Sequence, residues 1–269
     1  MGAERRRLSG AMTRRSLFRA ALQGDGPALG TWVKLPTVAS MELIALAGFD
    51  FAVIDLEHSP IDLETAYDLI GVGLLSGVSP IVRIPALEPG IVQRVLDAGA
   101  EGIMVPHVDT AHQARAAASF VRFPPLGVRG VGATSRAGAW GALPREEYVR
   151  FGQEEAVLIA QLESAEAIRN SGAIAGVPGV DAVLVGAADL SMSEGIQESD
   201  PRVRGMMTDA VAQATAEGVP VGGAGGAGAD AVRAAVEVGF RFVLMGNDAG
   251  LLGAAAREAV RAGRSVSVS

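Results

Sequence analysis

Short apolar runs alternate with helix-patterned segments along the whole chain. The runs that predict strands are Leu29–Lys34, Phe51–Leu56, Pro80–Ile84, Gly102–Val105, Val157–Leu162, Ala182–Val185, Val219–Gly222 and Phe240–Met245. Several are continuously apolar, as expected of parallel strands covered on both faces. Between them the spacing switches to three and four: Val203, Met206, Met207, Ala210, Val211 and Ala214 share one helix face. Ser40–Ala47 runs into Gly48 and Ala229–Val238 into Gly239, and a glycine just past the last turn is a usual helix stop. Eight strand–helix units with no internal linker predict one (β/α)8 TIM barrel over residues 13–269. A doubly wound open sheet is the competing architecture.

Two stretches break the rhythm. Arg122 to Glu155 is a long connection carrying Arg129, Arg136 and Arg145, and loops of that length in a barrel are usually functional. Gly222 to Gly228 holds five glycines and reads as a tight strand-to-helix turn. It lacks the spacing and the following acid of a nucleotide fingerprint. At the other end, Arg5–Arg7 and Thr13–Phe18 faintly resemble a twin-arginine export signal, but no continuous apolar region follows. The segment Thr13–Gln23 is instead expected as a basic amphipathic helix across one end of the domain. Residues 1–12 are expected to be a frayed extension, and the location cytoplasmic.

Composition narrows the chemistry. Hydrophobic residues make up 49% of the 269, and no apolar run reaches the length of a membrane span. A net charge of −7 argues against nucleic acid as a partner. Cysteine is absent, which removes thiol nucleophiles, disulfides and cysteine-based metal sites together. The histidines are His58, His107 and His112, and Lys34 is the only lysine, so a Schiff base has one candidate.

Chemistry in a barrel sits at the carboxyl ends of the strands. The second strand ends in Asp55-Leu56-Glu57-His58, the third at Arg83, the fourth at Pro106-His107, the fifth in Gln161-Leu162-Glu163, and the sixth leads to Asp189. Glu163 and Asp189 on adjacent strand ends could share one hard cation, with water and substrate oxygens completing the shell, which suits Mg²⁺ or Mn²⁺. Helix capping is the alternative for both carboxylates. Asp55 and His58, three residues apart, fit a general base with an orienting carboxylate, or a rim hydrogen bond alone. Arg83 needs an anionic partner, either a substrate carboxylate or a structural one.

These blocks carry a resemblance. Gly30-Thr31-Trp32, Ala47-Gly48-Phe49-Asp50-Phe51, Ile54–His58 and Val82-Arg83-Ile84-Pro85 resemble the HpcH/HpaI family of metal-dependent, class II 2-keto-acid aldolases. Leu96-Asp97-Ala98-Gly99-Ala100-Glu101-Gly102, Pro124–Gly130, Gln161-Leu162-Glu163 and Val185–Leu190 continue it in order, over about residues 24 to 250. The resemblance implies that Glu163 and Asp189 bind Mg²⁺ or Mn²⁺, with Co²⁺ as a further option. It implies that Arg83 lies near the ketone or enolate oxygen, and that Gln161, Ala188 and Trp32 line the keto-acid site. His58, oriented by Asp55, would manage protons through a water. Lys34 becomes a rim residue, not a nucleophile. A homohexamer is implied too, with the last helix (Leu251–Ala262) exchanged between subunits and Asp97 contributing across a contact.

The chain departs from the family pattern at Ala187, where a proline is usual, in Ser191–Asp200, in Gly222–Gly228 and at Gly246-Asn247-Asp248-Ala249. These positions bear on the far end of the substrate. The expected activity is cleavage or formation of a 4-hydroxy-2-oxo acid, giving pyruvate or a related 2-keto acid and an aldehyde. Oxaloacetate-decarboxylating or citrate-forming chemistry on the same site is the enzymatic alternative. A non-catalytic keto-acid-binding barrel is the alternative of another class.

Overall fold

Eight parallel strands close on themselves in chain order in the computed structural model, which describes residues 15–266. They are β1 (Ala28–Val33), β2 (Phe51–Asp55), β3 (Ser79–Arg83), β4 (Gly102–Val105), β5 (Val157–Leu162), β6 (Ala182–Val185), β7 (Val221–Gly225) and β8 (Phe242–Asn247). The helices are α1 (Leu17–Ala21), α2 (Val38–Ala47), α3 (Leu63–Ser76), α4 (Pro89–Asp97), α5 (Ala111–Val121), α6 (Arg145–Arg150), α7 (Ala165–Arg169), α8 (Ser171–Ala175), α9 (Ala187–Ser193), α10 (Pro201–Ala216), α11 (Ala229–Val238) and α12 (Asp248–Arg264). The expected (β/α)8 barrel is therefore present, and the open sheet is excluded by the β1–β8 pairing. Among the described residues no helix is long and apolar enough to cross a membrane. The expected frayed extension over residues 1–12 lies outside the described residues.

The floor of the barrel is built from aromatics. Phe18 of α1 meets Phe51 and Phe242 edge-on, with ring centroids 5.1 and 5.3 Å apart. A buried carboxylate anchors that helix: Glu101 accepts from the N–H of Leu17 at 2.7 Å and from the hydroxyls of Ser16 and Ser79 at 3.1 and 2.7 Å. The helix expected over Thr13–Gln23 is shorter than expected, because Ser16 caps it and Gly24 follows closely.

The glycine-rich stretch corrects the sequence reading. β7 runs past the expected end at Gly222 and takes in Gly223 and Gly225 from the stretch read as a turn, and β7 and β8 both start two residues later than the apolar pattern suggested. The reason is steric. A Cβ on Gly222 would stand 2.3 Å from the Phe242 ring, and one on Gly30 would stand 2.3 Å from Phe51. Both glycines pair in register with strands carrying those rings, Gly30 opposite Phe51 and Gly222 opposite Phe242.

The long connection after β4 is pinned to its own barrel by its arginines. Arg122 pairs with Asp181 at 2.8 Å, and Arg129 pairs with Asp97 at 2.9 Å while lying over the Phe123 ring. Arg136 stacks on Tyr67 and donates to the Ala98 carbonyl at 3.1 Å. The last helix behaves oppositely. α12 leaves the barrel, residues 254–266 are all exposed, and Leu252 and Val260 are 64% and 52% exposed.

The floor packing predicts opposite signs at different glycines. Gly30→Ala and Gly222→Ala should each destabilise by about 1–3 kcal/mol, because the adjacent rings cannot retreat into a filled floor. Gly205→Ala, in exposed α10 with open space around it, should stabilise by about 0.5–1 kcal/mol. Thermal melts of the three variants check this, and an unchanged Tm at Gly30 would contradict the packing account.

Candidate active site

Side chains alternate along a strand, so every second residue faces the barrel interior. On β2 that series is Phe51, Val53, Asp55; on β3 it is Ser79, Ile81, Arg83; on β5 it is Val157, Ile159, Gln161. The inward series starts apolar or floor-bound and ends polar at the carboxyl rim. Pairing sets Asp55 directly opposite Arg83 across β2 and β3.

That register produces a two-pronged ion pair. Arg83 Nε donates to Asp55 Oδ1 at 2.9 Å and Nη2 to Oδ2 at 2.7 Å, with the residues 5% and 0% exposed. Lys34 Nζ lies 3.1 Å from Oδ2, and the N–H groups of Glu57 and His58 donate to Oδ1 at 3.1 and 3.2 Å. Burial works to raise this carboxyl, but the Arg83 hydrogen bonds and charge, the His58 N–H and Lys34 outweigh it and hold the group at about 2. Arg83 is fixed further by Trp32, whose ring lies 4.2 Å from Cζ, and by Glu57 Oε2, 3.1 Å from Nη1.

The expectation that Asp55 orients the His58 ring needs correction. Asp55 engages the His58 backbone, while the imidazole stands exposed at the mouth with Nε2 3.8 Å from Glu57 Oε2. Asp55 is committed to Arg83 and to the turn, because two cationic side chains compete for its oxygens. Trp32 likewise supports Arg83 through its ring face. Lys34 is at the rim, as read, with its amine tied to Asp55.

Glu163 forms the second half of the site. It is 5% exposed; Gln161 Nε2 donates to Oε1 at 2.5 Å, and the His107 N–H donates to Oε2 at 3.1 Å. Burial pushes its carboxyl up to about 7; the His107 N–H and ring oppose that, and the charges of Asp189 and Glu57 add to it. Asp189 stands exposed in the first turn of α9, at the end of the neighbouring strand, with Ala188 exposed beside it. Gln161 Oε1 is buried here without a hydrogen-bond donor, and Glu57 Oε2 is held by its ion pair with Arg83 without forming a hydrogen bond.

These features fit a divalent cation. Converging carboxylates raise each other's cost of ionisation, and a hard cation with oxygen ligands is what relieves it. Among the described residues no group of three or more histidines or acids is gathered as a ready-made cage. Glu163 and Asp189 are the carboxylates that could serve as donors, and a two-carboxylate set completed by water and substrate oxygens is one that Mg²⁺ or Mn²⁺ accepts.

The rim thus gathers Trp32, Asp55, Arg83, Gln161 and Glu163, with His58 and Asp189 at its mouth. Asp97 is not among them: it ends α4 on the barrel flank, bound to Arg129 and 3.3 Å from the Tyr148 hydroxyl. Sequence reasoning assigned no role to Glu57 or His107. Both stood at strand ends, but what brings His107 back over Glu163 is its positive φ of 54°, which no residue pattern announces.

Comparison with known proteins bears on the family and the barrel. The family description HpcH/HpaI aldolase/citrate lyase matches residues 28–255. A hydroxypyruvate/pyruvate aldolase from Chromohalobacter salexigens is 39% identical over 91% of this chain and 96% of its own. A 2-dehydro-3,6-dideoxy-6-sulfogluconate aldolase from Pseudomonas putida is 35% identical over 88% of this chain and 92% of its own. The crystal structure of an HpcH/HpaI aldolase/citrate lyase family protein from Burkholderia cenocepacia J2315 superposes with a TM-score of 0.86 at 35% identity, covering 93% of this chain and all of that one. With the family description matched over residues 28–255 and relatives of 35–39% identity covering about nine-tenths of it, the chain belongs to the HpcH/HpaI aldolase/citrate lyase family.

Proposed function

We propose that this carbon–carbon lyase cleaves, or in reverse forms, a 4-hydroxy-2-oxo acid, the products of cleavage being pyruvate or a related 2-keto acid and an aldehyde. The observation that carries the reading is the buried rim network in which Asp55 and Glu57 aim Arg83 toward the mouth, beside the paired carboxylates Glu163 and Asp189. Glu163 and Asp189 would hold Mg²⁺ or Mn²⁺, which supplies Lewis-acid polarisation of the keto acid's oxygens.

The chain's own groups do the rest. Arg83 cannot turn away, because both sides of its guanidinium and its ring-facing plane are engaged. A fixed cation of this kind stabilises negative charge developing on the ketone oxygen without reorganising at the moment of reaction. Gln161 orients the keto acid through its amide. His58 Nε2 is turned toward Glu57, which leaves Nδ1 to take the C4-hydroxyl proton, directly or through one water, as the C3–C4 bond breaks. The same proton is then available for C3 of the released keto acid. Lys34 is ion-paired, and the scheme requires no Schiff base. A cytoplasmic setting belongs to the same proposal.

The oligomer is a further part of it. A cleft of about 410 Å³ between α2 and α12 is lined by Leu35, Leu43, Ile44, Phe49, Leu251 and Leu252. Together with the exposed α12, it supports assembly into a homohexamer with the last helix exchanged, and Asp97 placed at a contact.

Glu163→Gln and Asp189→Asn should each abolish cation-dependent turnover, measured by chelation followed by Mg²⁺ or Mn²⁺ add-back; full wild-type activity in chelator would refute the metal role. His58→Ala should lower kcat by about 10²–10⁴-fold while pyruvate affinity stays within a few-fold. Arg83→Ala should lose both, so equal loss of pyruvate binding in the two variants would overturn the role assignment. Light scattering across concentrations should give a mass near six protomers; active protein remaining at 27.5 kDa would rule out the assembly.

A further inference from the structure

His107 takes no part in the scheme above, yet the chain holds it in a conformation that a side-chain-bearing residue avoids. Its φ is +54°, in the left-handed region, and its side chain is 64% exposed, so core packing does not impose that backbone. Its carbonyl accepts from Gln113 Nε2 at 3.2 Å, and its N–H and both ring nitrogens face carboxylates. The backbone N–H donates to Glu163 Oε2 at 3.1 Å, ring Nδ1 lies 3.1 Å from the same oxygen, and ring Nε2 lies 3.2 Å from Glu57 Oε1. Gln161 engages the other oxygen of Glu163. Both oxygens of a carboxylate suited to a cation are therefore occupied by the chain's own donors.

We propose that the His107 ring is a resident placeholder at the divalent-cation site. It occupies Glu163 and Glu57 while no cation is bound and swings off Glu163 when one enters, leaving the backbone N–H in place. The inference rests on the reading that Glu163 and Asp189 hold that cation. Its physical basis is that the two ring nitrogens bridge Glu57 and Glu163, standing where a donor or a cation between those two carboxylates would stand. A ring that fills the place must be displaced, so the apparent cation affinity is the intrinsic one multiplied by the fraction of molecules in which the ring stands away. Its exposure makes that displacement easy: the ring can move into solvent without disturbing the core.

The test is Mn²⁺ binding by isothermal titration calorimetry at one pH, on the full chain and on His107→Gly and His107→Asn. Glycine and asparagine both tolerate the left-handed backbone and keep the N–H that holds Glu163, so they remove the ring alone. Both variants should bind Mn²⁺ about three- to thirty-fold more tightly than wild type, the range set by losing two part-exposed ion-pair contacts. Their Tm should fall in chelator and match wild type at saturating Mn²⁺, whereas a purely structural role would lower both. In wild type, the His107 ring resonances should shift on titration with Mg²⁺. Unchanged or weaker Mn²⁺ binding in both variants overturns the placeholder while leaving the metal site standing. Absence of any cation binding by wild type overturns the metal site and the placeholder with it.

Discussion

The rim of this barrel depends on the ion pair between Arg83 and Asp55. Both groups are nearly or wholly out of water, and removing a charge from water costs several kcal/mol unless its partners replace the lost hydration. The replacement is nearly complete here. Asp55 receives two guanidinium N–H groups, an ammonium and two backbone N–H groups, while Arg83 has the Trp32 ring on one face and Glu57 at its remaining end. The cost of burial becomes a gain in rigidity, because no rotamer of Arg83 other than this one keeps all of these partners. The turn after β2, which carries Glu57 and His58, takes its shape from the same carboxylate.

Stability and chemistry occupy opposite ends of the same strands. At the amino end, Phe18, Phe51 and Phe242 close the barrel, and Glu101 fastens α1 beneath them through donors of Ser16, Leu17 and Phe18 while also accepting from Ser79 of β3. Each edge-on aromatic contact contributes about 0.5–1.5 kcal/mol beyond its buried area. The carboxyl end carries the costly groups: a raised Glu163, a buried Gln161 oxygen without a donor, and a left-handed His107. A rigid floor lets the rim keep such groups without loss of the fold.

The arginines of the long connection illustrate how the same residue type divides between roles. Arg122, Arg129 and Arg136 each find a carboxylate, carbonyl or aromatic ring of the chain's own flank, and so they secure the loop. Among the described arginines, Arg83 is the one on a strand at an inward position, where its guanidinium joins the rim residues. Position in the register, not charge, separates the two groups.

The architecture was legible in the sequence because a parallel barrel writes itself as repeated apolar runs and helix faces, and because inward and outward positions alternate with a period of two. Asp55, Arg83, Gln161 and Glu163 could be picked out for that reason: each is a polar residue following an apolar inward series at a strand end. The family resemblance rested on the same blocks. Tertiary structure alone decided the rest. Gly223 read as part of a turn because a glycine's local signal is freedom, whereas here it makes room for the ring of Phe240, which is distant in sequence. Asp55 read as the partner of the His58 ring because the two are three residues apart, but its oxygens go to Arg83 and Lys34, which strand pairing and the β1 rim bring closer in space. His107 and Glu57 had no visible role because their meeting with Glu163 depends on a backbone angle and on three strand ends converging. Sequence spacing encodes which way a strand residue faces; what stands opposite it is set only when the barrel closes.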